Sequence, residues 1–499
     1  MVTARAHAAL LFGVDAMIVQ AQATVGADEP RVDLLDRFAE AETVERLRAA
    51  VCNSDLAWPT APVTVTLSPP ARLPAVAGDL ALACAVLAAA GLLPTGRLGQ
   101  TVLVGDLGLD GQIRPVRGVL PALLAAWRAG LRQAIVPRAG LAEAGLVPGL
   151  RVRGAERLSD VVAWLRDEQH TLPAPGAPAT APDPQDGSDL SDVRGQPEAV
   201  RALEVAAAGG HHLLLVGLPG SGATMLASRL PGLLSDLSGQ QALEVTAIHS
   251  LAGTLTAEAP LITRPPFIDP HHSTSAPALV GGGVGVAKPG AVSRAHCGVL
   301  FLDEAAEFAP RCLEALRTAV EEGEIRLARR DGVARYPARF QLVLASPPCP
   351  CARSESDCSC SPHARRRYLA RLSGPLLDRV DLRVRLRPAP PPGAPDGPVP
   401  EGTAVVRERV RAARQRAAHR WADDGAATNA EVPATVLRDA LPNPVIGQVD
   451  RALSVGALTR CGAERVLRVA WTLADLAGLD RPGDDQIAEA LAFRDRRAS

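Results

Sequence analysis

Apolar residues recur along this chain in several spacings, and each spacing predicts a different element. In Val63-Thr64-Val65-Thr66-Leu67 apolar and polar positions alternate, the period of a half-buried strand. Thr101 to Gly105 and Gln133 to Pro137 predict two further strands, with a helix over 121–129 between them. The longest apolar run, Leu80 to Leu93, has 14 residues. A membrane helix needs about 20, so the run predicts a buried core helix over 79–91. Gln196-Pro197 opens another helix, because proline suits the first helical position, and Gly209-Gly210 ends it. Leu213-Leu214-Leu215-Val216 then reads as a buried parallel strand, and Val299 to Leu302 as a second apolar strand. The last part is helical, with apolar residues at helical spacing over 405–418 and 463–477. No internal repeat interrupts this order. Two segments rich in proline and glycine, 171–187 and 388–402, predict extended linkers or loops. They divide the chain into 1–170, 188–387 and 403–499, in line with about three domains for this length.

Composition narrows the function. The 53 basic and 54 acidic residues leave a net charge of −1, which excludes a uniformly basic nucleic-acid coat and an acidic disordered chain. The apolar stretch ending at Asp15 carries no good cleavage site. The nine cysteines are odd in number and unevenly spread. Together these predict a cytoplasmic protein with reduced thiols and no membrane partner. Lys288 is the sole lysine, a compositional bias that bears on the next motif.

Gly217-Leu218-Pro219-Gly220-Ser221-Gly222-Ala223-Thr224 follows a predicted strand and precedes a helix. It matches the phosphate-loop pattern G-x-x-x-x-G-K-[ST] at every fixed position but one. Glycines let backbone N–H groups close around phosphates, the helix N-terminus adds a favourable dipole, and the Thr224 hydroxyl suits magnesium. Ala223 stands where the lysine belongs. About 80 residues on, Val299-Leu300-Phe301-Leu302 ends in Asp303-Glu304. That pairing resembles a Walker B motif, in which Asp303 holds magnesium and Glu304 polarises the attacking water. A gly-rich turn without ligand and a strand-end helix cap are the plain alternatives.

Four runs carry a wider resemblance: HHLLLVGLPGSGATMLASRLPGLL, RPPFIDPHHSTSAPALVGGG, KPGAVSRAHCGVLFLDEAAEF and LSGPLLDRVDLRV. They resemble the YifB/ComM family of magnesium-chelatase-like AAA+ proteins, and the similarity spans nearly the whole chain. The resemblance implies an α/β fold class in three parts. These are a Lon-protease-like N-terminal α+β domain, a P-loop AAA+ core with an insert in its second helix, and a C-terminal α-helical lid. It implies ATP with magnesium as cofactor, a homo-hexamer and a DNA branch-migration motor. Gly217, Pro219, Gly220, Ser221, Gly222, Ala223 and Thr224 fall on the phosphate loop, and Asp303 and Glu304 on Walker B. Arg379, in LLDRVD, matches the arginine expected to reach a neighbouring subunit's ATP. Read from the residues alone, Arg379 also suits an intrachain pair with Asp378 or Asp381.

Three positions depart from the family. Besides Ala223, the sensor run Ala345-Ser346-Pro347-Pro348-Cys349-Pro350-Cys351 has Pro347 where the family carries asparagine, and proline offers no donor. The lid arginine falls on Cys461, beside Arg460, with Arg465 and Arg468 as further candidates for phosphate contact. These changes predict weakened hydrolysis. Two alternatives to the motor therefore stay open: a pseudo-ATPase scaffold or regulator, including one in a mixed ring with an active paralogue, and a magnesium chelatase ATPase subunit.

Outside the nucleotide motifs, Cys349, Cys351, Cys358 and Cys360 form a C-x-C…C-x-C cluster with six residues between the pairs. Four thiolates on a short loop suit a tetrahedral structural zinc, with metal-free thiols or disulfides as alternatives. Gly105 to Val116 resembles the stretch that precedes the catalytic lysine of Lon proteases. Residues 1–170 hold no lysine, and no serine lies between Pro69 and Leu158, which excludes a Ser-Lys dyad there. The stretch 363–387 holds eight arginines, which suit phosphate contacts in a ring pore or a solvated face with subunit contacts. His271 and His272 lie in the predicted insert with glycines 281–283.

Overall fold

The computed structural model describes residues 3–26, 32–34, 41–68, 78–168, 171–176, 189–283, 287–329, 332–353, 357–372, 374–388 and 401–494. Most of both expected linkers, 177–187 and 389–400, lies outside the described residues.

The N-terminal part is built on a seven-stranded sheet. Its order is Val32–Leu34, Val63–Ser68, Asp15–Val25, Thr3–Phe12, Thr101–Leu103, Gln133–Pro137 and Arg151–Ala155. Thr3–Phe12 and Asp15–Val25 form an antiparallel hairpin that pairs Phe12 with Asp15. The apolar stretch before Asp15 is thus a central strand of this sheet. The helix Asp79–Ala89 is buried along all of its residues, as its unbroken apolar run predicts. Its first residue, Asp79, meets the Arg46 guanidinium at 2.8 Å.

Near that pair, Asp106 has a buried Oδ1 without a hydrogen-bond partner among the described residues. Burial first, and the Asp79 carboxylate second, push the Asp106 carboxyl up to about 7. A carboxyl with a raised folded-state pKa supports folding below the unfolded value near 4 and loses that support as pH rises through 7. Asp106→Asn, which mimics the protonated form, is therefore expected to stabilise the protein at pH 8. After discounting for partial exposure the gain is about 1–2 kcal/mol. Melting temperatures of the two proteins should converge at pH 4. A gap that stays constant with pH would show that Asp106 does not titrate as described.

The middle part holds a five-stranded sheet, ordered Phe267–Ile268, Val299–Leu302, Gln341–Ser346, Leu213–Val216 and Leu382–Arg385. Every pairing in it is parallel. Val299–Leu302 and Leu213–Val216 are buried throughout, which explains why they read as continuous apolar runs rather than alternating ones. Helices Pro197–Gly209 and Ala223–Leu233 pack against it. A hairpin of Glu324–Arg329 and Gly332–Pro337 joins this part to the N-terminal sheet. There Val14 N–H donates to the Arg335 carbonyl at 3.3 Å. Gly13, at φ +69°, allows the approach, because a Cβ would lie 2.4 Å from the Arg335 oxygen.

The last part is helical, with long helices Thr403–Arg420 and Arg460–Ala477. Its apolar faces share one core with the middle sheet through Val406, Val410, Val466, Trp471, Leu213 and Phe301. Trp421 meets Trp471 edge-on with centroids 5.2 Å apart. Among the described residues no helix is long and apolar enough to cross a membrane.

Candidate nucleotide site

The strands Leu213–Val216, Val299–Leu302 and Gln341–Ser346 run parallel, so their carboxyl ends lie together at one edge of the sheet. Ligands of open α/β sheets bind at such an edge. The glycine-rich loop leaves the first strand, Asp303 leaves the second, and Ser346 ends the strand between them.

Loop geometry follows from its small residues. Gly220 and Gly222 stand at φ +81° and +92°, and a Cβ on either would meet nothing within 4 Å. They turn the chain around open space. Gly217 is the reverse case, since a Cβ there would lie 2.4 Å from Ser221 Oγ and 2.8 Å from Leu386 Cβ. Gly217 N–H donates to the Ser346 carbonyl at 3.2 Å, tying the loop to the neighbouring strand. Ser221 is buried, while Pro219 and Gly220 are exposed. Ala223 is the first residue of the helix Ala223–Leu233, whose first-turn N–H groups lack carbonyl partners within the helix.

The side chains expected to hold magnesium meet directly. Thr224 Oγ1 donates to Asp303 Oδ2 at 2.8 Å across 79 residues of sequence. The other carboxylate oxygen of Asp303 accepts from Glu304 N–H at 2.9 Å. Glu304 itself stands in left-handed backbone at φ 49°, ψ 44°. For a side chain longer than Asn or Asp that conformation carries strain of about 1–3 kcal/mol.

The open turn, the first-turn helix amides and the Thr224–Asp303 pair have the donors that a magnesium nucleotide needs, while the cation at position 223 and the donor at position 347 are lacking.

Models of the magnesium chelatase ChlI subunit match this chain over residues 189–392, of its C-terminal part over 400–494, and of a ChlI subunit over 21–140. An uncharacterised protein of Mycobacterium tuberculosis strain H37Rv is 54% identical, with 99% of each chain covered. YifB of Escherichia coli K12 is 39% identical over 98% of this chain and 96% of its own. The competence protein ComM of Haemophilus influenzae is 38% identical over 97% and 95%. The chain belongs to the YifB/ComM family of magnesium-chelatase-like proteins. Its mixed α/β middle part with a parallel sheet agrees with an AAA+ protein of that family.

Other residues singled out for this YifB/ComM-type site are placed as follows. Arg379 is paired within the chain, though not with Asp378 or Asp381: its guanidinium meets Glu321 Oε1 at 2.8 and 3.2 Å. Arg465 meets buried Asp381 at 3.2 Å. Burial alone would raise the Asp381 carboxyl, but Arg465, His211 and His212 hold it far below the usual carboxylate range. Arg468 donates to the Val432 carbonyl at 3.1 Å. Both arginines are thus engaged within their own chain. Arg460 opens the helix Arg460–Ala477, and Cys461 beside it is exposed. Ser346 Oγ donates to the Pro347 carbonyl at 3.1 Å. Of the eight arginines in 363–387, Arg371 meets Glu307, Arg387 meets Glu198 and Arg383 donates to the Leu377 carbonyl, so few are uncommitted.

The four cysteine sulfurs Cys349, Cys351, Cys358 and Cys360 lie within 4.8 Å of one another. The Cys360 backbone amide leads in drawing the Cys358 thiol down to about 6, helped by Cys349, Cys351 and Arg365.

Two contacts were not read from sequence. His272 Nδ1 lies 3.0 Å from Glu304 Oε2, so His272 serves the Asp303-Glu304 corner, while His271 bonds Ser273. Gln196, read only as a helix start, donates to the carbonyls of Ser221 and Arg387 at 3.2 and 2.7 Å, bracing the phosphate loop. A buried glutamine just before a helix-opening proline was the one available signal.

Proposed function

We propose that this protein is a ring-forming AAA+ nucleotide-binding protein acting on DNA in the cytoplasm, with hydrolysis weakened by Ala223 and Pro347. The hydrogen bond between Thr224 and Asp303 carries the reading, because it joins two expected magnesium ligands, one in the first turn of a helix and one at the end of a strand. The three parts then act as a Lon-like scaffold (1–170), an ATPase core (188–387) and a helical lid (403–499). The competence name of the Haemophilus influenzae relative supports DNA as partner.

A bound magnesium nucleotide supplies the phosphoanhydride to be cleaved. The backbone N–H groups of Gly220 and of Gly222 to Thr224 would bind its phosphates, and Thr224 and Asp303 would hold the metal. Glu304 takes the proton of the attacking water. His272 fixes the Glu304 carboxylate through Oε2. Arg379 leaves Glu321 to serve the neighbouring subunit's site. A zinc ion on the four cysteines belongs to the same reading.

Glu304→Gln is the direct test. It is expected to lower turnover by about 10²–10⁴-fold while leaving nucleotide affinity within a few-fold. Equal turnover would remove Glu304 as the base. If neither protein binds nucleotide, the scaffold reading takes over, which Ala223 and Pro347 favour. The magnesium-insertion reading rests on the family description alone.

A further inference from the structure

The four cysteines lie beside the nucleotide site rather than apart from it. Cys349 follows the strand Gln341–Ser346 by three residues, and Cys360 precedes the helix Pro362–Leu369 by two. Sulfur separations are 3.2 Å for Cys349–Cys351 and 3.4 Å for both Cys349–Cys358 and Cys351–Cys358. A single zinc ion with four Zn–S bonds of about 2.3 Å sets its sulfurs about 3.8 Å apart. Those three separations need to widen by only a few tenths of an ångström, and all four sulfurs already lie within 4.8 Å of one another. A multi-iron cluster, with bridged irons between its thiolates, needs a wider cage. The Arg365 guanidinium stands near Cys358, and the N-terminus of its helix lies next to Cys360, so positive charge faces the thiolates.

The helix that starts at this cage returns to the nucleotide site. Buried Tyr368, in its last turn, brings its hydroxyl beside Ser346 and Glu307. Glu307 also meets Arg371 at 3.1 Å. Ser346 in turn accepts the Gly217 N–H of the phosphate loop. The path from cage to loop is thus short: cysteines, helix, Tyr368, Ser346, Gly217.

We infer that one structural zinc ion held by Cys349, Cys351, Cys358 and Cys360 staples the strand Gln341–Ser346 to the helix Pro362–Leu369, and that Tyr368 passes this order to the phosphate loop as a positioning residue. The effect on nucleotide rests on the site being a nucleotide site. Removing the ion loosens the seat of Ser346, and Gly217 loses its fixed acceptor.

The test uses the full chain. Metal content by mass spectrometry, nucleotide affinity with a fluorescent ADP analogue, and amide hydrogen exchange without nucleotide are compared in four samples. They are the native protein, Cys358→Ser/Cys360→Ser, Tyr368→Phe, and native protein stripped with a strong zinc chelator and then reloaded. The native protein is expected to carry about one zinc per chain. The double variant and the stripped protein should exchange faster at 213–222 and 341–346 and bind ADP about tenfold more weakly. Reloading should restore both. Tyr368→Phe should keep its zinc and melting temperature yet weaken ADP binding, which a purely local metal site would not do. Native protein without zinc, or zinc loss that leaves exchange at 213–222 unchanged, overturns the proposal. If no sample binds ADP, the nucleotide reading has failed, and the exchange data still decide the staple. If ADP binds equally with and without zinc, the staple alone has failed.

Discussion

Ala223→Lys is expected to raise nucleotide affinity by about ten- to a hundredfold and turnover by about 10²–10³-fold. The affinity figure follows from a hydrogen bond to a charged group, worth roughly 1.5–3 kcal/mol. The rate figure is that of one preorganised donor aimed at charge that grows in the transition state. The fold makes the gain accessible. Gly220 and Gly222 already hold the turn in its left-handed form, and Thr224 already meets Asp303. Position 223 opens a helix and is only partly buried, its methyl resting on the edge of the core, so a lysine there has solvent to extend into. Calorimetric titration with ADP and a single-turnover assay with ATP decide it. Unchanged affinity would mean that another group already supplies the missing positive charge. A rise in affinity without a rise in rate would place the remaining defect at Pro347.

Arg379→Ala is expected to lower turnover in the Ala223→Lys background by about 10³-fold or more, with nucleotide affinity changed by less than about threefold. In the single chain Arg379 rests on Glu321, and both side chains are about a third exposed. An ion pair of that kind contributes only about 0–1 kcal/mol. Its loss should barely move the melting temperature, and leaving it for a neighbour's phosphate is cheap. The pairing with Glu321 is thus compatible with a finger that acts in the assembled ring. Mixing tests the point directly. Arg379→Ala chains combined with Glu304→Gln chains regenerate some sites with both groups intact, if the two residues come from different subunits. Recovery of turnover on mixing is the expected result. No recovery would assign Arg379 to its own chain.

The His272–Glu304 contact marks where sequence reading stopped. Adjacent histidines have no spacing that points to a carboxylate 32 residues away. Only the parallel pairing of Phe267–Ile268 with Val299–Leu302 brings the two segments side by side. The same holds for Arg379. Its neighbours Asp378 and Asp381 are close in sequence, yet Asp381 is taken by Arg465 and the guanidinium reaches Glu321 instead. The N-terminal hairpin was missed for another reason: its apolar run from Ala8 to Phe12 hides the alternation in the rest of the strand.

What the sequence determined by itself was local. Alternation placed Val63–Ser68, unbroken apolar runs placed Asp79–Ala89 and Leu213–Val216, and glycines with Thr224 marked the phosphate loop. Each depends on residues within one element, where side-chain period and backbone freedom act directly. The tertiary structure decided which elements became neighbours. Sheet order brought Asp303 to Thr224 and seated Ser346 beside Gly217. Those contacts join positions far apart in the chain. They arise from burial of several apolar faces at once, which no short stretch of sequence encodes.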